Sequence, residues 1–238
     1  MRQTIKRIAQ KCGFDVKKFH DPLRDIAEIL RESQNPVLFD VGANIGQTAK
    51  QLNDCVSGCR IFSFEPSPET VIRLRDNTKH LQNVSVLQVG LGSENTKLPL
   101  NENSCSDMSS FLDLAEAGWG KIVKTSDVQI RTVDGFCEEE TLSRVDLLKI
   151  DTQGFDFEVL KGSERMLREQ RIGLVYLELC FAPLYENQAT LGDVSSWLEK
   201  FGYHALAIYE INFTGRILGW ANFLFGTAEM KERLMKLQ

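Results

Sequence analysis

A short apolar run that ends in glycine, Pro36–Gly42, is the feature that most constrains the fold of this chain. Apolar runs of about four to eight residues are typical of strands buried on both faces of a parallel sheet. The run is followed at once by residues with helical periodicity, Ile45–Leu52. A buried strand that leads directly into a helix predicts the first unit of a βαβ fold.

The same alternation of strands and helices continues along the chain. Further strands are predicted at Arg60–Phe64, Val84–Val89, Val145–Ile150, Ile172–Leu179, Tyr203–Tyr209 and Leu218–Phe225. Further helices are predicted at Ser67–Thr78, Phe155–Glu169, Leu191–Phe201 and Ala228–Leu237. Strands that alternate with helices favour right-handed crossover connections. We therefore expect an α/β fold, a single Rossmann-like domain whose doubly wound sheet has about seven mostly parallel strands, the last antiparallel, with helices on both faces.

The chain of 238 residues is long enough for one substantial core but leaves little room for a second domain. We expect an N-terminal helical extension over residues 1–34, a main domain over residues 35–226 and a C-terminal surface helix over residues 227–238. In the extension, Asp21 and Pro22 are placed as the N-cap and the first residue of a helix.

A long interruption of the pattern separates the first three predicted strands from the later ones. Between Gly90 and Ser143 the sequence is rich in turn-forming residues, and one alternating run, Val128–Val133, is predicted to pair with Lys97–Leu100. Interruptions of this length inside a compact domain are usually functional or disordered. We expect residues 92–143 to form the substrate region.

Composition and charge exclude several classes of protein. The net charge of −5 gives no general attraction for nucleic acid, whose binding needs clustered Lys and Arg. No apolar segment approaches the roughly 20 residues of a membrane span, and the N-terminus lacks the apolar core of a signal peptide. The close cysteine pair, Cys55 and Cys59, has no second pair at zinc-binding spacing. We expect a soluble, cytoplasmic protein with no nucleic-acid partner, membrane span or structural zinc.

The segment Asp40–Gly46 lies directly after the first predicted strand and opens the first helix. Gly42 permits a tight turn and close approach of the backbone to a ligand, whereas Gly46 lets the helix pack closely on the sheet. The spacing is Gly-x-x-x-Gly after an acid, not the Gly-x-Gly-x-x-Gly that places a pyrophosphate at a helix N-terminus. The segment therefore suits a ligand with an amino acid moiety better than a dinucleotide.

Glu65 ends the second predicted strand and is followed by Pro66 and Ser67. A carboxylate at this place in nucleoside-binding α/β folds accepts hydrogen bonds from the two ribose hydroxyls. The alternative is that Glu65 caps the following helix, but Ser67 is already placed as its N-cap and Glu65 lies too early. We favour the ribose role, which predicts a bound nucleoside.

Lys149 and Asp151 lie two residues apart at the end of the predicted strand Val145–Ile150. Alternation along the strand places both side chains on one face, toward the crevice where such sheets bind ligands. A charged pair at this place costs free energy unless it is satisfied, which makes both residues functional candidates. The alternative is an internal salt bridge that joins strand to helix.

Together these segments resemble the FkbM family of methyltransferases over residues 35–209. The resemblance is carried, in order, by Asp40–Gly46, Phe64–Ser67, Val89–Gly92, Thr132–Phe136, Leu147–Gly154, Val159–Gly162, Leu177–Leu179 and Phe201–Tyr203. Any one of these motifs is weak, but their order and spacing in one chain are specific.

The resemblance implies a class I methyltransferase fold with S-adenosylmethionine as methyl donor, and O-methylation of sugars and natural products. By position it implies a cofactor site with Asp40, Gly42, Asn44 and Gly46 at the methionine moiety, Glu65 at the ribose with Pro66 and Ser67 beside it, and Val89, Gly90 and Leu91 at the adenine. Asp151 is implied to lie nearest the transferable methyl group.

A hydroxyl acceptor needs its proton removed as the oxygen attacks. Asp151 is the first candidate for the base and Glu178, at the adjacent strand end, is the second, with Lys149 beside them. Either carboxylate acts directly or by holding a divalent cation, and oxygen ligands favour Mg²⁺ over Zn²⁺. The expected acceptor is a sugar, glycan or natural product. Trp119 and Phe111, in the interruption, either stack on a sugar ring or form a local core.

Three other functions compete with this prediction. An NAD-dependent oxidoreductase is opposed by the missing Gly-x-Gly-x-x-Gly and by the three histidines, which lie outside the strand ends. A nucleic-acid methyltransferase is opposed by the net charge of −5 and by the lack of an Asn-Pro-Pro-Tyr motif. A non-catalytic nucleoside-binding protein is opposed by the presence of Asp40, Glu65 and Asp151 together.

Overall fold

Strands and helices alternate along the chain in the computed structural model, which describes Lys11 and residues 20–236. The strands are β1 (Val37–Val41), β2 (Arg60–Phe64), β3 (Val84–Leu87), β4 (Gly90–Leu91), β5 (Thr96–Asn103), β6 (Ile122–Arg131), β7 (Val145–Ile150), β8 (Ile172–Cys180), β9 (His204–Thr214) and β10 (Ile217–Gly226). The helices are α1 (Pro22–Leu30), α2 (Gln47–Cys55), α3 (Thr70–Thr78), α4 (Val133–Glu139), α5 (Asp156–Lys161), α6 (Glu164–Arg168), α7 (Leu191–Glu199) and α8 (Ala228–Lys236).

The main sheet has seven strands in the order β3-β2-β1-β7-β8-β10-β9. Strands β1, β2, β3, β7 and β8 are parallel, and β10 lies antiparallel between β8 and β9. This arrangement confirms the predicted α/β fold with an antiparallel last strand. The strand order reverses between β1 and β7, and ligands of such sheets bind beyond the carboxyl ends of the strands at that point.

Both faces of the main sheet are covered, because its central strands carry apolar side chains on either side. All six residues of β7 are buried. On one face, Phe39, Phe62, Phe64 and Phe136 form an aromatic cluster with ring centroids 5.0–5.5 Å apart. On the other face, side chains of α1, α2 and α8 pack in a second cluster of buried residues. Because both faces of the sheet are covered, a ligand has access to the sheet only at the carboxyl ends of its strands.

The interruption folds into a second sheet with the order β4-β6-β5. Lys97 lies opposite Gln129 and Leu98 opposite Val128, which confirms the predicted antiparallel pairing and extends it along β5. The apolar side chains of this sheet pack around Leu100, Val128 and Ile130, with Leu98 and Phe111 against them. Strand β4 joins this sheet directly after β3 leaves the main one, so the second sheet begins beside the ligand-binding edge.

The predicted helix Phe155–Glu169 is wrong, because the segment forms two helices, α5 and α6. A Cβ atom on Gly162, which follows α5, would lie 1.9 Å from the carbonyl oxygen of Gly92, so only glycine allows this close approach. The carboxylate of Asp134 accepts two backbone N–H bonds from α6, at 2.8 and 3.0 Å. Contacts with distant residues therefore override a continuous helical pattern.

The ends of several elements differ from the prediction. The strand predicted over Val84–Val89 ends at Leu87, and β9 and β10 are longer than expected at the turn that joins them. Asp21 is the N-cap of α1 and Pro22 its first residue, as predicted. The predicted end of the last helix, Leu237, lies outside the described residues.

No helix in the described part of the chain has the length and apolar character needed to cross a bilayer. The described cysteines are free thiols, namely Cys55, Cys59, Cys105, Cys137 and Cys180. Cys12 lies outside the described residues.

Candidate active site

The glycine turn after β1 lies where the strand order reverses. The backbone N–H groups of Gly42 and Ala43 both donate to the carbonyl oxygen of Phe64 at 3.0 Å, which ties the turn to the end of β2. Gly42 has a φ of +73°, and a Cβ atom there would lie 1.9 Å from the carbonyl oxygen of Asp151. Only glycine therefore fits between the ends of β1 and β7.

The backbone is also left-handed at Asn44 and Gly46, later in the same turn. Gly46 is the N-cap of α2, and a Cβ atom there would lie 2.9 Å from the side chains of Leu74 and Thr78. The side-chain oxygen of Asn44 is buried and has no hydrogen-bond partner among the described residues. A buried oxygen without a partner is unusual, and at a crevice it fits a donor group on a ligand.

Asp40 and Lys149 form a buried ion pair beneath the glycine turn. Lys149 Nζ lies 2.9 Å from Asp40 Oδ1, donates to the carbonyl oxygen of Gly42 at 3.3 Å and lies 3.7 Å from Asp151 Oδ2. Burial opposes the charged lysine, but the charges of Asp40 and Asp151 outweigh it and raise the pKa of Lys149 above its usual range. The pair thus joins β1 to β7 and does not join a strand to a helix. The charged Lys149 ammonium also lies beside the carboxylate of Asp151.

Glu65 lies at the end of β2 with 7% of its surface exposed. Its Oε2 accepts the backbone N–H of Asn44 and its Oε1 that of Ser67, both at 2.9 Å. Burial raises the pKa of Glu65 to about 7, although these two N–H bonds act in the opposite direction. The carboxyl group is therefore fixed in one orientation across the glycine turn.

Ser67 connects Glu65 to the second sheet. Its hydroxyl donates to Glu102 Oε2 at 2.8 Å and accepts the backbone N–H of Thr70 at 3.2 Å. The carbonyl oxygen of Ser67 accepts the backbone N–H of Val71 at 3.0 Å. The prediction of Ser67 as the helix N-cap is wrong, because α3 begins at Thr70 with Glu69 as its N-cap, and Ser67 instead holds the turn that leads into the helix.

Two cavities open at the carboxyl ends of the strands. The first is bounded by the glycine turn after β1, the end of β2 and the segment that follows β5. Of the cofactor residues predicted from the sequence, it brings together Gly42, Asn44, Glu65, Pro66, Gly90 and Leu91. Four others do not line it, namely Asp40, Gly46, Ser67 and Val89. Leu100 and Phe111 add apolar surface at the side of the second sheet.

The second cavity is more open and lies between the strand ends and the start of α1 and α2. Lys149 and Asp151 of the β7 end, Glu178 of β8, Glu210 of β9 and Asn222 of β10 are among the residues that line it. Among the described residues that line either cavity, Asp151 alone lines both. Its carboxylate therefore lies at the junction of the two cavities.

Two residues that the sequence analysis did not single out, Gln153 and Tyr185, hold Asp151 in place. The hydroxyl of Tyr185 donates to Gln153 Oε1 at 2.7 Å, and Gln153 Nε2 donates to Asp151 Oδ1 at 2.8 Å. The carbonyl oxygen of Gln153 accepts a hydrogen bond from Ser110 at 2.7 Å. Gln153 lay in the turn after a predicted catalytic residue, which was a usable signal, but no local pattern points to Tyr185.

Glu178 is partly buried near the end of β8. Burial raises the pKa of Glu178 to about 8, and the neighbouring charges of Asp151 and Asp156 act in the same direction. At neutral pH the carboxyl group is therefore mostly protonated and able to donate a hydrogen bond. The described residues contain no group of three or more His, Cys, Asp or Glu placed to hold a metal ion.

The aromatic residues of the interruption have different surroundings. Trp119 packs against Trp220 with ring centroids 5.8 Å apart and lines neither cavity. Phe111 lines the first cavity, and its ring lies 4.9 Å from that of Phe155. The three histidines line neither cavity. Phe111 is therefore the aromatic side chain that the second sheet brings to the site.

Comparison with known proteins agrees with this architecture. The methyltransferase FkbM domain matches residues 40–205 of the chain. The 2-O-methyltransferase NoeI of Sinorhizobium fredii is 27% identical over 189 residues, which are 75% of this chain and 76% of that protein. The hexuronic acid methyltransferase AglP of Haloferax volcanii is 28% identical over 161 residues, which are 66% of this chain and 62% of that protein.

Among solved structures, SMU.1697c of Streptococcus mutans, a complex with S-adenosylhomocysteine, superposes with a TM-score of 0.50 at 9% identity. The match covers 88% of this chain and 99% of that one. At this identity the likeness shows the fold alone. Because the family domain spans more than half of the chain, the chain belongs to the FkbM family of methyltransferases, as its motifs predicted.

Proposed function

We propose that this methyltransferase transfers the methyl group of S-adenosylmethionine to a hydroxyl oxygen of a sugar. The observation that carries the proposal is the position of Asp151, which lines both cavities. A carboxylate at the junction of a donor cavity and an acceptor cavity lies beside both reactants. It is placed to accept the proton of a hydroxyl at the point of transfer.

The residues of the first cavity fit S-adenosylmethionine. Each oxygen of Glu65 accepts one backbone N–H, and because a carboxylate oxygen has about two acceptor sites, each has one left for a ribose hydroxyl. Leu91 and Phe111 supply apolar surface for an adenine ring. The side-chain oxygen of Asn44, which has no partner among the described residues, suits the ammonium of the methionine moiety. When bound, this donor supplies a methyl group on a positively charged sulfur.

The protein's part in the reaction is alignment and proton removal. A hydroxyl held in the second cavity would give its proton to Asp151 as its oxygen bonds to the methyl carbon and the carbon–sulfur bond breaks, which would leave S-adenosylhomocysteine as a neutral thioether. Alignment of the reactants lowers the barrier by several kcal/mol. The hydrogen bond from Gln153 keeps the Asp151 carboxylate aimed at this point. Lys149 Nζ lies 3.7 Å from Asp151 Oδ2 and helps to hold the carboxylate in this position. Protonated Glu178 is available to donate a hydrogen bond to the acceptor.

The sugar is proposed as acceptor on two grounds. The names of NoeI and AglP describe a 2-O-methyltransferase and a hexuronic acid methyltransferase. The second cavity is lined by carboxyl, amide and phenol groups from Glu178, Asn222 and Tyr176, which can hydrogen-bond several hydroxyls at once. Asp151 and Glu178 are also the residues that would hold a divalent cation such as Mg²⁺ if the reaction uses one.

Transfer of label from S-adenosylmethionine tests the proposal directly. The purified protein is incubated with methyl-labelled donor and pools of glycans and nucleotide sugars, and the methylated atom is identified by mass spectrometry and NMR. We expect the label on a sugar oxygen. Calorimetry provides the control for the donor site, since S-adenosylhomocysteine should bind and NAD should not. Saturable NAD binding without binding of S-adenosylhomocysteine would contradict the proposal.

A further inference from the structure

We infer that the second cavity selects an uncharged, hydroxyl-rich sugar and rejects a sugar acid. This inference rests on the proposed function, since it takes the second cavity as the acceptor site. The ionisable side chains that line the cavity in the described part of the chain are Asp21, Asp54, Asp151, Glu178 and Glu210 as acids, of which Glu178 is mostly protonated, and Arg24 and Lys149 as bases. The acids outnumber the bases. The cavity could hold the carboxylate of a sugar acid only if one of the two bases were free to pair with it.

Both basic groups already have acidic partners. Lys149 Nζ lies 2.9 Å from Asp40 Oδ1, and that carboxylate is fully buried. Arg24 Nε lies 3.6 Å from Asp21 Oδ2 in a surface pair, and the arginine side chain is 81% exposed, at the outer rim of the cavity. Recognition of a carboxylate usually uses an arginine fork or a set of backbone N–H donors. The described lining of this cavity offers no cation without an acidic partner for that purpose.

Glu210 reaches the cavity because of a bulge in β9. Asn222 of β10 pairs with Tyr209, and Trp220 pairs with Asn212, so Glu210 and Ile211 together lie opposite one residue of β10. Glu210 has a φ of +48°, which is unusual for a residue with a side chain. Bulges are known to redirect a side chain next to a functional site. Here the bulge directs the Glu210 carboxylate into the cavity. In a regular strand, the alternation of side chains between the two faces would direct it elsewhere.

A row of polar side chains connects Glu210 to the candidate catalytic residues. Asn222 lies directly across from Glu178 in the pairing of β10 with β8. The side-chain amide of Asn222 donates to the carboxylate of Glu210. Glu178, Asn222 and Glu210 therefore follow one another across three neighbouring strands, with Asp151 at the end of the next strand, β7.

These groups distinguish a neutral sugar from an acidic one. Carboxylates accept hydrogen bonds from sugar hydroxyls, which are donors as well as acceptors. The carboxylate of a sugar acid donates no hydrogen bond, and its charge would be repelled by Asp151 and Glu210. Like charges brought together at a recognition site weaken binding. Selection against sugar acids follows from both effects.

Matched sugar pairs test the inference. Methyl glycosides of several hexoses are each compared with the glycoside of the corresponding uronic acid, which differs only at the carboxylate. Binding is measured by calorimetry with S-adenosylhomocysteine present, and transfer is measured with labelled S-adenosylmethionine. We expect at least one neutral glycoside to bind and accept methyl, with its uronic acid partner about tenfold or more worse. Because the effect is electrostatic, the ratio should shrink as salt rises.

Variants of Glu210 separate charge from shape. Glu210→Gln should reduce the discrimination several-fold, and Glu210→Lys should reduce it further or reverse it. Glu199→Gln, an exposed acid at the end of α7, is the matched control and should leave the ratio unchanged. Circular dichroism and binding of S-adenosylhomocysteine check that each variant is folded.

The outcomes distinguish this inference from the proposed function. A uronic acid that binds or reacts as well as its neutral partner overturns the inference. A ratio of neutral sugar to uronic acid that is unchanged by salt and by the Glu210 substitutions also overturns it. If no neutral sugar binds while S-adenosylhomocysteine binds normally, the inferred acceptor class is wrong and the donor site stands. If S-adenosylhomocysteine itself does not bind, the proposed function fails.

Discussion

The side-chain amide of Gln153 donates to Asp151 Oδ1 at 2.8 Å, and this hydrogen bond fixes the carboxylate at the junction of the two cavities. Gln153 is in turn held by the hydroxyl of buried Tyr185 at 2.7 Å. An amide fixed at its oxygen end presents its N–H₂ group to Asp151 in one orientation. The proposed catalytic geometry thus depends on Gln153, which lines the first cavity, and on Tyr185, which lines neither cavity.

Removal of this support should slow the reaction without weakening donor binding. We expect Gln153→Leu and Tyr185→Phe each to lower kcat by about 10- to 100-fold, because a misaligned base loses the near-attack geometry. The double variant should be little worse than either single one, since both break the same chain of hydrogen bonds. Affinity for S-adenosylhomocysteine should stay unchanged in Tyr185→Phe, because Tyr185 lines neither cavity.

The control for this prediction is Tyr203→Phe. Tyr203 also donates from a buried hydroxyl, to the carbonyl oxygen of Ile172, but far from the cavities. This variant should lower the melting temperature and leave kcat unchanged. Equal losses of kcat in the Tyr185 and Tyr203 variants would indicate that Tyr185 acts only through stability.

Asp151→Asn should lower turnover by about 10²- to 10⁴-fold, because it keeps the shape of the side chain but removes the proton acceptor. Affinity for S-adenosylhomocysteine should change little. Turnover is measured with labelled donor after calorimetry has verified binding. Near-native turnover in the Asn variant would show that Asp151 is structural and would direct attention to Glu178.

The same assay tests whether a cation takes part. If Asp151 and Glu178 act only as proton acceptor and donor, treatment of the native enzyme with EDTA should leave activity unchanged. Loss of activity in EDTA, with recovery on addition of Mg²⁺, would instead show that the two carboxylates work through a divalent cation.

The pH profile distinguishes the roles of the two carboxyl groups. The pKa of Glu178 is raised to about 8 by burial, so the group is protonated at pH 7 and loses its proton above about pH 8. If protonated Glu178 donates to the acceptor, kcat/KM should fall as pH rises through about 8. Glu178→Gln, which keeps a donor, should remove this fall. A rise in kcat/KM through the same pH, abolished in the Gln variant, would identify Glu178 as the base instead.

Stability should also depend on pH in a defined direction. Burial raises the pKa of Asp156 to about 6, of Glu65 to about 7 and of Glu178 to about 8. An acid whose pKa is raised on folding binds more protons in the folded state than in the unfolded state, so the free energy of unfolding falls as pH rises. We expect the melting temperature of the ligand-free protein to fall between about pH 5 and about pH 8.

Differential scanning fluorimetry across this range is the measurement. Glu178→Gln should flatten the upper part of the decline, whereas Glu232→Gln, an exposed acid of α8, should not. A melting temperature that stays level or rises between these pH values would show that the three carboxyl groups are not held in the buried environment described above.

Glu65→Ala should weaken binding of S-adenosylhomocysteine by about 1–3 kcal/mol, because two ribose hydroxyls would lose their acceptor. Glu65 also accepts the N–H groups of Asn44 and Ser67, so melting temperature is measured alongside calorimetry. An unchanged affinity with a large drop in melting temperature would show that Glu65 only supports the glycine turn.

The sequence alone predicted the parts of the fold that depend on local patterns. Apolar runs and helical periodicity located the central strands, and β2 and β7 have the predicted bounds. The alternation of Val128–Val133 with Lys97–Leu100 was enough to predict the pairing of β5 with β6. The tight turn predicted at Gly42 is present, and its φ is +73°. These features were accessible because each follows from a repeating pattern or a turn residue that can be recognised within one segment of the chain.

Other features were decided by the tertiary structure, because they depend on residues far apart in sequence. Contact of Gly162 with Gly92 separates α5 from α6 despite a continuous helical pattern. Lys149 lies near Asp151, as its spacing predicted, but its closest partner is Asp40 on a neighbouring strand. Tyr185 reaches Gln153 from 32 residues away. A periodic pattern predicts which face of an element is buried. Only packing determines which polar groups meet there, and in this way it sets the surroundings and orientation of the Asp151 carboxylate.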